Sequence, residues 1–358
     1  MGGTQRLISA DSHFKVSGDE IKEHLPAKFH AAYDRATREV DQPRDTAMHL
    51  RGGGGMALSS FQHEAARHPG YHDPVERLRA MDRDGVDAEL LFSDLSAFRI
   101  FHRVVDGWKE TARAFNDRGA EFAATDPERL LVSYQLPLVE IEYAVSELSR
   151  LVGDHHARAV HLPTKPTAIG LPDYHHERYD PLWGALSEME IPVCIHLGVE
   201  DDLWDIAQRD PTPQMGVFTS QPAMRLSEQL GFLLLSGMLE RFPLLRFVFV
   251  EPGLGWVPHY LEKLDQMATS GAYVFPAITE LPSFYFHRQV SLTFMDEKRG
   301  VAMRHDIGVE NIMWSTDFPH PACTWPGSRA VVDELMDGVP ADEAFLMVYG
   351  NAARVFHL

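Results

Sequence analysis

Residues 7–13 read Leu-Ile-Ser-Ala-Asp-Ser-His, an apolar run that stops at a carboxylate and an imidazole two positions apart. In an extended chain positions i and i+2 point to the same side, so Asp11 and His13 can share one ligand. The pattern of an apolar run ending in chemistry recurs along the chain. Pro192–Leu197 carries His196, Leu245–Glu251 runs into Pro252-Gly253, and Asn311–Thr316 runs into Asp317-Phe318-Pro319-His320. With Leu7–Ala10, Ala88–Ser93, Leu130–Leu136, Ala159–Leu162 and Gln289–Phe294 there are eight strand candidates. Most are near-continuous apolar runs, as parallel strands buried on both faces are.

Helical patterns lie between them. Asp73-Pro74-Val75-Glu76 offers an N-cap, Pro at the first helical position and Glu at the third. Asp180-Pro181 opens a second helix running to about Glu190. Others are read over Trp108–Thr125, Val139–Val152, Met224–Arg241, Pro258–Ala268, Ser328–Met336 and Ala341–His357. Strand and helix alternating eight times predict an α/β fold, a (β/α)8 TIM barrel, which typically uses ~250 residues. The excess in this 358-residue chain sits in Phe14–His72, with its Gly52–Gly55 run, and in Asp201–Gln221. The whole chain, 1–358, is therefore read as one barrel domain, with 14–72 a lid or oligomerisation insertion after the first strand. A doubly wound open sheet is the rival, but no G-x-G-x-x-G follows the first strand.

Barrels build their sites at the C-terminal strand ends. Asp11, His13, His196 and Asp317 fall at three such ends and form a candidate cradle for a divalent metal ion. A binding module has no need of that set, so the chain reads as an enzyme. With 19 histidines in the chain, position and company carry the argument.

A formal charge of −19, from 33 basic and 52 acidic residues, argues against nucleic acid or an anionic membrane as partner. The expected partner is a small molecule, together with further copies of this chain in a homodimer or larger homo-oligomer. Two cysteines, Cys194 and Cys323, suit a reducing compartment, and the start MGGTQRLISADSH lacks a signal-peptide core. The expected location is the cytoplasm.

At Asp11-Ser12-His13, Val193-Cys194-Ile195-His196 and Trp314-Ser315-Thr316-Asp317-Phe318-Pro319-His320 the chain resembles the amidohydrolase superfamily. More narrowly it is similar to the amidohydrolase-related branch that includes aminocarboxymuconate semialdehyde decarboxylase-like enzymes. The resemblance runs from Ile8 to the segment Tyr349–Phe356, apart from Phe14–His72. It implies one divalent ion, Zn2+ first and Mn2+ as the alternative, held by Asp11, His13, His196 and Asp317. Two departures stand out. Many members of the superfamily begin with His-x-His where this chain has Asp-Ser-His. Decarboxylases of the branch commonly end the sixth strand with a histidine, where this chain has Glu251.

The resemblance and the missing histidine together favour a hydrolase acting on an amide, ester, lactone or activated carbon–carbon bond. A metal lowers the pKa of bound water to ~7, and Asp317 would take that proton. His320 would serve as acid or orient Asp317, and Glu251 would position substrate or a ligand. The alternative is a non-oxidative decarboxylase of an aromatic or enoic acid, with Asp317 protonating the carbon that loses carbon dioxide. A barrel that has lost catalysis and only binds is a further alternative. Candidate substrate contacts are His161, Arg225 as a carboxylate clamp, and the apolar flanks Phe14, Trp256 and Trp325.

Overall fold

The computed structural model describes residues 6–50, 65–93, 97–198, 203–213 and 215–358. Eight parallel strands follow one another in the order β1 to β8. They are β1 (Ile8–Phe14), β2 (Ala88–Ser93), β3 (Leu130–Gln135), β4 (Ala159–Leu162), β5 (Val193–His196), β6 (Phe247–Val250), β7 (Val290–Phe294) and β8 (Ile312–Trp314). Backbone bonds carry β1 onto the segment after β8: Asp317 N–H donates to the Asp11 carbonyl at 3.0 Å and His13 N–H to the Phe318 carbonyl at 2.6 Å. The barrel closes there, and both residues of the first motif take part. Helices fill the intervals between strands, so the fold is the (β/α)8 barrel.

Side chains alternate between two cores. Ile8, Ala10, Ala88, Leu90, Phe92, Leu131, Ala159, Cys194, Val248, Val250 and Met313 fill the barrel interior, with Ala352 and Phe356 packed against them from the C-terminal helix. The opposite faces, such as Leu7, Leu91, Leu162, Ile195 and Phe249, pack under the helices. Strict alternation from Ile8 and Ala10 would turn Asp11 out of the barrel. A register shift between Ser9 and Ser12 sets three steps of β1 against two of β2. That extra residue reverses the phase and turns Asp11 and His13 inward.

Helix Pro74–Asp84 starts as the sequence predicts, with the Asp73 carboxylate accepting from the amides of Val75 and Glu76. Two helices depart from expectation. The helix expected over Met224–Arg241 begins at Gly216, ends at Leu235 and is followed by a short turn, Met238–Arg241. The last helix is broken by a π turn, Leu346–Gly350. Asn351 is fully buried and donates to the carbonyls of Val309 and Ile312, tying this turn to β8.

In the insertion after β1, Ser17 and Glu20 form a capping box that starts helix Gly18–His24. That helix lies on helix Trp108–Ala123, outside the barrel. Helix His30–Leu50 contacts the short helices Ala97–Phe101 and Leu203–Arg209, which follow the C-terminal ends of β2 and β5. This part of the insertion thus lies at the C-terminal face. The Gly52–Gly55 run and His63 fall outside the described residues. Among the described residues no helix is long and apolar enough to cross a membrane.

Candidate active site

Asp11, His13, His196, Glu251, Asp317 and His320 form one continuous cluster at the C-terminal strand ends. Single donor atoms of Asp11, His13 and His196 lie within 4.8 Å of one another, as do those of His13, Asp317 and His320, and those of Asp11, Glu251 and Asp317. His13 Nε2 is 3.6 Å from Asp11 Oδ1 and 3.2 Å from Asp317 Oδ1. His196 Nε2 is 3.4 Å from Asp11 Oδ1 and 3.6 Å from Glu251 Oε2.

The backbone turns both later carboxylates into this space. Glu251 and Asp317 each have φ of +56°, a left-handed conformation rare for residues with a Cβ. Such strain persists only where the surroundings fix it. Glu251 N–H is held by Thr293 Oγ1 at 2.9 Å, Leu254 N–H by Glu297 at 2.7 Å, and Trp256 Nε1 donates to the Pro252 carbonyl at 2.7 Å. Around Asp317, the hydroxyls of Ser9, Ser12 and Thr316 form a buried triangle of 2.9–3.1 Å that joins β1 to the end of β8.

His196 Nδ1 lies 2.7 Å from the Leu197 carbonyl, so Nδ1 carries a hydrogen and Nε2 faces the cluster. Both oxygens of Asp11 and Nε2 of His196 are buried without a hydrogen-bond partner among the described residues. A buried carboxylate left in that state costs several kcal/mol, and a cation placed between these donors removes the cost. Oxygen and imidazole donors of this kind suit Zn2+ or Mn2+. The residues present therefore fit a divalent ion.

His320 Nδ1 is 2.7 Å from Asp317 Oδ1, and its ring stacks on His13 with centroids 3.9 Å apart. Burial raises the Asp317 carboxyl, but the His320 charge and hydrogen bonds from His13 and His320 outweigh it and hold Asp317 at about 2. Burial and the neighbouring Asp317 and Asp11 carboxylates instead push Glu251 up to about 8. His161, at the end of β4, is buried, and burial with His196 and His13 nearby keeps it well below the usual imidazole range. Its ring meets Phe92 at 5.4 Å and Phe98 at 4.8 Å, and its Nδ1 has no hydrogen-bond partner among the described residues.

The other sequence candidates are spread out. Phe14 is a correction: it packs on Phe122 in the strand–helix core at 5.1 Å, because it follows inward-facing His13 and must face out. Trp256 packs on Tyr260 and braces the Glu251 loop, and Arg225 is half-buried in the middle of helix Gly216–Leu235. Trp325 flanks the site through Phe318, at 5.3 Å, and His68, at 5.0 Å.

Sequence reasoning passed over Arg77 and Glu89. Arg77 is wholly buried, pairs with Glu89, donates to the His13 carbonyl at 2.7 Å and lies 4.5 Å over the Phe318 ring. The signal was present: Glu89 is the one charge in the otherwise apolar strand Ala-Glu-Leu-Leu-Phe-Ser, and a buried carboxylate needs a partner.

A parallel barrel with carboxylates and imidazoles gathered at its C-terminal mouth has the layout of a barrel enzyme. The chain belongs to the amidohydrolase family, whose model matches residues 11–358. A gamma-resorcylate decarboxylase of a Polaromonas species is 26% identical over 261 residues, covering 68% of this chain and 76% of that protein. The solved 5-carboxyvanillate decarboxylase of Novosphingobium aromaticivorans, complexed with manganese, has a TM-score of 0.73 at 16% identity, covering 99% of this chain and 96% of that one. An amidohydrolase of Mycobacterium avium subsp. paratuberculosis reaches 0.77 at 18% identity, covering 99% and 100%. The structural likenesses speak for the fold. The relatives named for a reaction are carboxy-lyases, which runs against the expected hydrolase and sides with its alternative.

Proposed function

We propose that this chain is a metal-dependent, non-oxidative decarboxylase of a hydroxylated aromatic acid. The observation that carries the reading is the kinship with gamma-resorcylate decarboxylase across two thirds of the chain. An ionised Glu251 in place of a histidine at the end of the sixth strand would repel a substrate carboxylate, which is the physical case for a hydrolase. A divalent ion in the cluster would attract the substrate carboxylate directly and offset the Glu251 charge at the same place, so that repulsion does not exclude a carboxylate.

Asp11, His13, His196 and Asp317 would hold the ion, with Mn2+ favoured by the manganese-bound relative. A divalent ion there supplies a Lewis-acid anchor for a carboxylate and an adjacent hydroxyl oxygen. The chain's own residues handle the proton. His320 holds it against the ionised Asp317, which stands between His320 and the cradle and passes it to the ring carbon bearing the carboxylate. A carbon–hydrogen bond forms there, the carbon–carboxylate bond breaks, and its electron pair restores the ring as carbon dioxide leaves. Phe92 and Phe98 give the ring an apolar wall. Neutral His161 offers Nδ1 to a substrate hydroxyl. Gamma-resorcylate and 5-carboxyvanillate, offered beside a panel of neutral amides, esters and lactones, test the reading. Carbon dioxide release is expected; hydrolysis without it returns the chain to the hydrolases.

A further inference from the structure

We propose that Glu251 is itself a ligand of the ion, so that the site has three carboxylates and is selective for an oxygen-loving metal such as Mn2+ over Zn2+. The inference rests on the metal-dependent reading above and goes further by naming a ligand and the metal it selects.

Three independent features of this chain carry it. The first is aim: an oxygen of Glu251 falls within 4.8 Å of oxygens of both Asp11 and Asp317. Its Oε2 is 3.6 Å from His196 Nε2, and Asp11 Oδ1 is 3.4 Å from the same nitrogen. Both separations exceed those of a normal hydrogen bond. Donor atoms about 2.1 Å from one ion lie about 3.0–3.4 Å apart at angles of about 90–110°, so the two spacings are close to those of neighbours around a common cation.

The second feature is the tautomer. With Nδ1–H committed to the Leu197 carbonyl, Nε2 is the ring nitrogen that His196 presents to Glu251 and Asp11. Three potential ligand atoms thus converge from Asp11, His196 and Glu251. The oxygens of Asp11 are buried without a hydrogen-bond partner among the described residues.

The third is rigidity. Glu251 sits on a left-handed backbone pinned by Thr293, Glu297 and the Trp256–Pro252 bond, the same backbone conformation that carries Asp317 into the cradle. Such bracing suits a ligand, which must be held in place before the metal arrives. Carboxylate oxygen suits Mn2+, while imidazole suits Zn2+.

Metal-free full-length protein, Glu251→Gln and Glu251→His are titrated calorimetrically with MnCl2 and with ZnCl2, with circular dichroism confirming the fold of each. A residue that only hydrogen-bonds to a ligand changes metal affinity by about 10–100-fold, for both metals alike. A ligand does more: Glu251→Gln is expected to weaken Mn2+ by about 100-fold or more. Glu251→His is expected to leave Zn2+ within about tenfold of wild type while Mn2+ falls, inverting the ratio of the two affinities. Unchanged Mn2+/Zn2+ ratios in both variants, on a wild type that binds tightly, would overturn the proposal and leave the metal-dependent reading standing. Failure of the wild type to bind either metal would overturn both. Should Glu251→Gln not fold, Glu251→His decides the matter, since histidine tolerates a left-handed backbone.

Discussion

Arg77 and His13 are joined by a buried hydrogen bond, guanidinium Nη1 to the His13 carbonyl oxygen, at 2.7 Å. The same guanidinium pairs with Glu89 on β2 and lies over the Phe318 ring beyond β8. One buried cation thus fixes the strand end carrying His13 against the loop carrying Asp317. Arg77→Met leaves Glu89 charged and alone, and breaking one side of a buried pair costs about 3–5 kcal/mol. Urea unfolding is expected to show that loss, and the double variant Arg77→Met/Glu89→Leu to recover part of it. Metal affinity is expected to fall in both, because the clamp on His13 is gone in both. Wild-type metal binding in the double variant would show that Arg77 contributes to folding alone.

Asp317→Asn is expected to abolish turnover without loss of fold. Asparagine is at home in the left-handed backbone that Asp317 adopts, and the bond from this backbone N–H to Asp11 is untouched. It cannot accept the proton held by His320, which costs about 10²–10⁴-fold in rate. Carbon dioxide release by single-turnover assay, beside a melting curve, checks this. Near-native rates would remove Asp317 from the proton path.

Stability of the metal-free protein is expected to fall as pH rises from about 5 to about 8. The native Glu251 carboxyl, raised from 4.5 to about 8, binds a proton that the unfolded chain has already lost. Its contribution is complete below the unfolded value and disappears as pH passes the folded one. Asp317, held at about 2, works in the opposite sense, and its contribution is lost only as pH falls through that value. Melting temperatures in chelator across this range, for wild type and Glu251→Gln, isolate the effect. A wild-type profile as flat as that of the variant would contradict it.

The eight strands were legible because buried parallel strands leave short apolar runs, and all eight lie within a few residues of where the runs predict. The strand ends were legible for the same reason: polar residues that interrupt such runs mark the mouth. What the pattern hides is phase. The extra residue in β1 turns Asp11 inward, and no composition signal announces it. Phe14 followed from the same blindness, since its side depends on that phase. The early start at Gly216 was masked by Pro222, which is held inside the helix although proline interrupts the bond ladder. Glu251 was visible as a departure, but its protonation in the metal-free site depends on burial and on Asp317 and Asp11, which fold in from distant strands. The joining of Glu89 to Arg77 needed the fold as well, although the lone charge in β2 was there to be seen.

In the proposed reaction a proton must reach the carbon that loses carbon dioxide. Mn2+-loaded protein is incubated with gamma-resorcylate and, separately, with 5-carboxyvanillate in deuterated water, and the products are examined by mass and NMR spectroscopy. The account predicts carbon dioxide and a product carrying one deuteron where the carboxylate stood, with neither formed by Asp317→Asn or after chelation. Hydrolysis of a neutral amide, ester or lactone, with no carbon dioxide from either acid, would contradict it.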